Sequence, residues 1–175
     1  MIRKANKKDC EKLVSLIYQV HQLHYEHRPD IYIEGNPWKK EDLECMMKDK
    51  NILNLVYEED NKIKGLLIAI QKNTKTNSIT KERTIYFIDD IVVDNEFKRQ
   101  GIGTKLYEYL INMAKENKVD AVELNVWAFN SDAVKFYESL GMSVKNMKLE
   151  KIISNDKVVT KEQNIKVTNT VSKKS

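Results

Sequence analysis

Three groups of side chains stand at spacings that can do chemistry. The first, Lys98-Arg99-Gln100-Gly101-Ile102-Gly103-Thr104, lies between the end of a strand-like run and the start of a helix-like one. The first N–H groups of a helix lack intrahelical acceptors and its dipole is positive there, so glycines let a phosphate come close to the main chain while Arg99 adds charge. The segment reads as a diphosphate cradle or as a tight turn chosen for packing; G-x-G alone does not separate the two. The second group is Asp89-Asp90, adjacent acids inside an otherwise apolar strand. They break its alternation and signal a bulge or a site. The third is His21, His24 and His27, repeating every three residues near a helix end. Successive members drift about 60° around the axis, and no acid or cysteine pattern completes a ligand set, so no metal is expected.

The elements that must position these groups follow from periodicity. Leu13, Ile17, Val20 and His24 fall on one face of a helix running from Asp9 to about His27, with Pro29 at its end. A shorter helix is expected over Lys40 to Lys48. Ile52–Tyr57 and Lys62–Ile70 read as a hairpin, and Thr84–Val93 as a third, longer strand carrying the acidic pair. Leu106, Leu110, Met113 and Ala114 sit at helical spacing behind the glycine turn, and Ala121–Trp127 returns as a strand, which together make a crossover unit. Asn130-Ser131-Asp132 caps a helix bearing Ala133, Phe136, Tyr137 and Leu140 on one face, and Gly141 closes it. A last strand is expected near Met147 to Ile153. The fold class is therefore α/β in a single domain, residues 1–153, with a mixed central sheet: antiparallel in its first half, βαβ in its second, flanked by helices. Residues 154–175 are rich in Lys, Asn, Thr and Ser and read as a mobile or edge-packing tail.

Composition bounds the function classes. Of 175 residues 41% are hydrophobic, enough for a core, and 30 Lys plus Arg against 26 Asp plus Glu leave a net charge of only +4, which argues against a nucleic-acid partner. No apolar run reaches the roughly 18 residues of a membrane span, so no membrane partner is expected. Cys10 and Cys45, in a chain opening Met1-Ile2-Arg3-Lys4, read as buried or partly buried thiols in a cytoplasmic protein.

Three ordered stretches resemble the GCN5-related N-acetyltransferase family. Ile91-Val92-Val93-Asp94-Asn95-Glu96-Phe97 running into Lys98–Thr104 is similar to its acetyl-CoA signature. Glu123-Leu124-Asn125-Val126-Trp127 resembles its splayed strand, and Asn130 to Met142 resembles its N-x-x-A-x-x-F-Y-x-x-x-G-F pattern, with Met142 in place of the aromatic. The resemblance implies acetyl-CoA as co-substrate. The main chain of Ile91, Val92 and Val93 would pair with the pantetheine arm and polarise the thioester, and the amides from Arg99 through Gln100, Gly101, Ile102 and Gly103 to Thr104 would hold the pyrophosphate. Lys98 stands where the family usually has Arg or Gln, with little consequence for a main-chain task. Asn130 would bond the cofactor arm, cap its helix, or both.

The same resemblance makes Tyr137 the general acid, protonating the departing thiolate, with core packing as its plain alternative. Asp89 or Asp90 would take the amine's proton, directly or through water. Without a bulge only one of them can reach the acceptor, and Asp89 is preferred. In relatives that acetylate protein N-termini the base is a Glu five residues before the Asn; here that residue is Asn125, which puts that mechanism in doubt. His24 and Tyr25 fall in the acceptor wall, and Trp127 lies near the splay, where it packs or meets substrate. The function implied is direct transfer of an acetyl group to a primary amine in a ternary complex. The expected acceptor is a small cationic amine, and no covalent intermediate on either cysteine is needed. An acyl-CoA sensor or interaction module without turnover is the alternative. A dinucleotide-binding domain is excluded by architecture, since its glycine fingerprint follows an early strand of a parallel sheet. Relatives often dimerise, and the last strand or the tail would supply that contact.

Overall fold

A computed structural model describes residues 1–153. Met1–Asn125 form one compact unit and a second begins at Val126. In the first, β1 (Ile2–Lys4), α1 (Cys10–His27), α2 (Lys40–Met46), β2 (Ile52–Glu59), β3 (Lys62–Thr74), β4 (Arg83–Val93), α3 (Ile102–Glu116) and β5 (Ala121–Leu124) follow in order. The five strands form one sheet ordered β1-β2-β3-β4-β5, antiparallel except for the parallel β4–β5 pair. Asp60 and Asn61, with φ of 52° and 57°, make the tight left-handed turn that a two-residue hairpin loop requires. The expected mixed α/β sheet is present.

One sheet face is covered by α1 and α2. Cys10, Leu13, Leu16 and Ile17 of α1 and Leu43 of α2 pack on Val56, Leu66, Ile68 and Val92. The other face takes α3, whose Ile102, Leu106, Leu110 and Ala114 are buried. Gly65 lets α3 close in: a Cβ there would stand 2.9 Å from Ile102 Cγ2, 3.1 Å from Leu106 Cδ1 and 3.2 Å from the Val92 carbonyl oxygen. The branched methyl of Ile102 sits in the first turn of α3, where little can yield. Gly65→Ala is therefore expected to cost about 1–3 kcal/mol by overpacking. Thermal unfolding checks this, and an unchanged melting temperature would refute the packing account.

Several expectations are corrected. β1 was not foreseen, since three residues carry no readable alternation. β5 stops at Leu124 rather than Trp127, its last pair with β4 being Leu124 with Ile88. Cys45 is exposed rather than buried; on the short α2 it points away from Leu43, and Cys10 alone is buried. In the second unit α4 (Ser131–Ser139) is followed by Gly141 at φ 83°, but the described residues 142–153 hold no strand. Met147, Leu149 and Ile153 are 66%, 91% and 80% exposed, so the alternation that suggested a strand has no surface to bury against. The tail, residues 154–175, lies outside the described residues. Among the described residues no helix is long and apolar enough to cross a membrane.

Candidate active site

The acidic pair sits where β4 changes face. Ile68 pairs with Asp90 and the next residue, Ala69, pairs with Ile88, so Asp89 is an extra residue in a β-bulge. The insertion inverts the alternation. Before it, Tyr86 faces α3, where its hydroxyl accepts a 2.9 Å bond from the amide of Asn117 at the helix end. After it, Val92 lies in the core under α1, and Asp90 shares that face through its pairing with Ile68. Asp89 is exposed and Asp90 half-buried. Burial first, then the neighbouring Asp89 charge, pushes the Asp90 carboxyl up to about 7. That is the range in which a carboxylate serves as a general base near neutral pH.

The same bulge opens the sheet. Pairing of β4 with β5 ends at Ile88 and Leu124, while β4 runs on through Asp89 to Val93. From Asp89 onward the β5-side edge of β4 has no strand partner among the described residues. Ile91, Val92 and Val93 thus carry main-chain groups on an edge open to a further pairing partner. Their side chains do other work: Val92 is buried in the core.

Beyond that edge the chain turns through Asp94 into α3. The Asp94 amide bonds the Lys64 carbonyl at 3.0 Å, its carboxylate pairs with Lys12 of α1, and Gln19 of α1 accepts the Asn95 amide at 3.2 Å. Burial alone would raise the Asp94 carboxyl, yet the bonds from Lys12 and the Glu96 amide hold it below its ordinary value. Asp94 and Lys12 therefore fix the entry to the glycine loop, a task that the sequence hid because they stand 82 positions apart. Arg99 and Gly101 are left-handed, at φ 62° and 74°, and no side chain caps the start of α3. A left-handed arginine costs of order 1 kcal/mol, and such strain accumulates at ligand-binding turns. Lys98, Arg99, Gln100 and Gly101 are exposed, Gly103 and Thr104 half-buried, and Ile102 buried against the sheet. The uncapped amides of a fifteen-residue helix suit a diphosphate.

The segment expected to form the acceptor wall runs from the end of α1 into the turn after it. Arg28, buried, bonds both oxygens of Asp30 at 2.9 and 2.8 Å, and its carbonyl accepts the amides of Ile31 and Tyr32. This brings Tyr32 back over the helix, where it stacks on His24 at 5.0 Å and meets the edge of His21 at 5.9 Å. The three histidines thus differ in task. His21 donates from Nε2 to the Ile33 carbonyl at 2.8 Å, His27 bonds the Leu23 carbonyl, and His24 stacks. Burial, with His21 and His27 behind it, holds His24 below its ordinary value, favouring a neutral ring. Tyr25 is half-buried beside it. The ring stacking of Tyr32 had no sequence signal.

In the second unit Asn130 caps α4, its Oδ1 accepting the Ala133 amide at 3.2 Å. Tyr137 is half-buried, its ring 5.1 Å from that of Phe136, and Trp127 stacks on Phe129 at 5.7 Å.

A family model described as the acetyltransferase (GNAT) family matches residues 17–142. An uncharacterized N-acetyltransferase of Methanocaldococcus jannaschii is 29% identical over 83% of this chain and 62% of its own length. The ribosomal protein bS18 alanine N-acetyltransferase of Escherichia coli K12 is 29% identical over 61% of this chain and 65% of its own length. The chain thus spans less than two thirds of either relative. Among solved structures, a mutant of the BH1408 protein from Bacillus halodurans superposes at TM-score 0.85 with 29% identity, covering 88% of this chain and 99% of that one. An aminoglycoside acetyltransferase from an uncultured soil metagenomic sample shares the fold, at TM-score 0.68 and 20% identity over 88% of this chain and 95% of that one. With the family model spanning well over half of its length, the chain belongs to the acetyltransferase (GNAT) family.

Proposed function

We propose that this chain is an acetyl-CoA-dependent N-acetyltransferase, moving acetyl directly onto a primary amine of a small cationic acceptor while both substrates are bound. The observation that carries the reading is Asp90: the bulge turns it onto the α1 face beside the open edge of β4, with its carboxyl near 7. The uncapped start of α3 supports a diphosphate anchor at Arg99–Thr104, and the open β4 edge supports a thioester lying along Ile91–Val93. The exposed Asp89 charge draws the acceptor ammonium in. Asp90, favoured over Asp89 by its burial, takes the proton directly or through one water, and the freed amine attacks the thioester carbon. The C–N bond forms, the C–S bond breaks, Tyr137 donates its phenolic proton to the departing thiolate, and the second proton leaving the acylated nitrogen passes through water to restore the Tyr137 hydroxyl. Asn130 contributes a contact to the cofactor arm in addition to its cap. Holding both reactants together supplies the proximity contribution, so neither cysteine is needed as a nucleophile.

Release of coenzyme A thiol is the test, measured with acetyl-CoA against polyamines, amino acids, aminoglycosides and peptides while both substrates are varied. Acceptor-dependent release with intersecting double-reciprocal lines is expected. Parallel lines would overturn the ternary complex. Acetyl-CoA binding by calorimetry with no release from any acceptor would favour the sensor reading.

A further inference from the structure

The part of the sheet's α1 face beyond the core carries a second charged group. Phe87 pairs with Ile70 on that face, two register steps from Asp90, and Lys72 lies two residues further along β3. The Lys72 Nζ rests 3.4 Å from the centre of the Phe87 ring. On the parallel side Glu123 of β5 pairs in register with Phe87 and takes Arg83 at 3.2 Å. The floor between is half-buried and apolar at Ile70 and Phe87. One end of this strip is therefore the Asp90 carboxyl, and the other holds two cations against one carboxylate. Arg83 is matched by Glu123. Lys72 is exposed, and its described contact is an aromatic face that orients the ammonium without neutralising it.

We infer that Lys72 is a specificity residue for an anionic group at the far end of the acceptor, so that the acceptor is a molecule with a primary amine at one end and a carboxylate at the other. The Lys72 ammonium is held over Phe87, two register steps from Asp90, about 7 Å at the rise of a strand, a span that a short extended peptide bridges from its amine to its carboxylate. The inference rests on the transferase reading and narrows it. The acceptor is still cationic at its amine, but a polyamine would set a second ammonium against Lys72, at a cost in affinity.

Triglycine and triglycinamide test this, since they differ only in the distal charge. Wild type is expected to acetylate triglycine with kcat/KM about tenfold higher, the difference lying in KM, as one exposed charge-assisted contact gives. Lys72→Met should bring the two acceptors level without changing the triglycinamide rate, Lys72→Arg should keep the preference, and Lys72→Glu should reverse it. Equal wild-type rates, or a preference that survives Lys72→Met, would overturn the inference and leave the transferase standing. Calorimetry separates the converse case. Triglycine binding that depends on Lys72, with no thiol release, would uphold the anion contact and remove the transferase reading; neither binding nor release would remove both.

Discussion

Asp90→Asn is expected to lower kcat/KM by about a hundredfold at pH 8, within the usual range for removing a general base, and to raise the melting temperature in the same buffer. Both effects come from one cause. Burial and the Asp89 charge lift the Asp90 carboxyl from an ordinary value of 3.8 to about 7. Between those values the folded chain holds a proton that the unfolded chain has lost, so stability falls as pH rises across the window and the full penalty is present above about 7. Asparagine carries no such charge. Variant and wild type should melt together near pH 4 and diverge toward pH 8, with the variant higher. Wild-type kcat/KM should rise with pH through about 7, the variant should lose that inflection, and Asp89→Asn should move it to lower pH by removing the neighbouring charge. A wild-type profile flat from pH 6 to 8, or a melting difference independent of pH, would remove Asp90 from the proton path.

Tyr137→Phe is expected to lower kcat by at least tenfold and by as much as about 10²–10³, with the acetyl-CoA dissociation constant unchanged within about twofold. The test discriminates because Phe keeps the ring that stands 5.1 Å from Phe136 and removes only the hydroxyl. A tyrosine that merely packs α4 would show the opposite pattern, with kcat intact and a change confined to thermal stability. If release of product rather than thiol departure limits turnover, single-turnover acetylation rates will show the deficit that kcat masks.

Much of this was legible in the chain because it rests on local rules. The faces of α1, α3 and α4 were readable as 3.6-residue spacing, the hairpin as two apolar runs around Asp60-Asn61, and the glycine loop as a helix start. The adjacent acids correctly signalled a bulge. What the letters could not show was which acid the bulge would bury, since that depends on pairing with a strand about twenty residues earlier. Alternation says that one of the two reaches the acceptor without choosing between them, and burial favours Asp90 over the preferred Asp89. Long-range pairs were equally hidden: Arg3 bonding Glu58 and Lys12 bonding Asp94 join residues that no sequence window contains, and Lys72 resting on Phe87 joins two strands. The failed strand near Met147 shows the same limit from the other side. Alternation states what a segment could bury, and the fold decides whether a partner exists.

The single inserted residue at Asp89 has a consequence for how this protein can change over generations. Deleting it would send Asp90 and Val92 to the α3 side and turn Ile91 and Val93 into the core under α1, emptying one layer and crowding the other. The second half of β4 can therefore drift by exchange of one side chain for another, but not by gain or loss of a codon. The polar link between Thr74 and Arg83 is free of that constraint, so length variation among descendants should collect there and spare the strand.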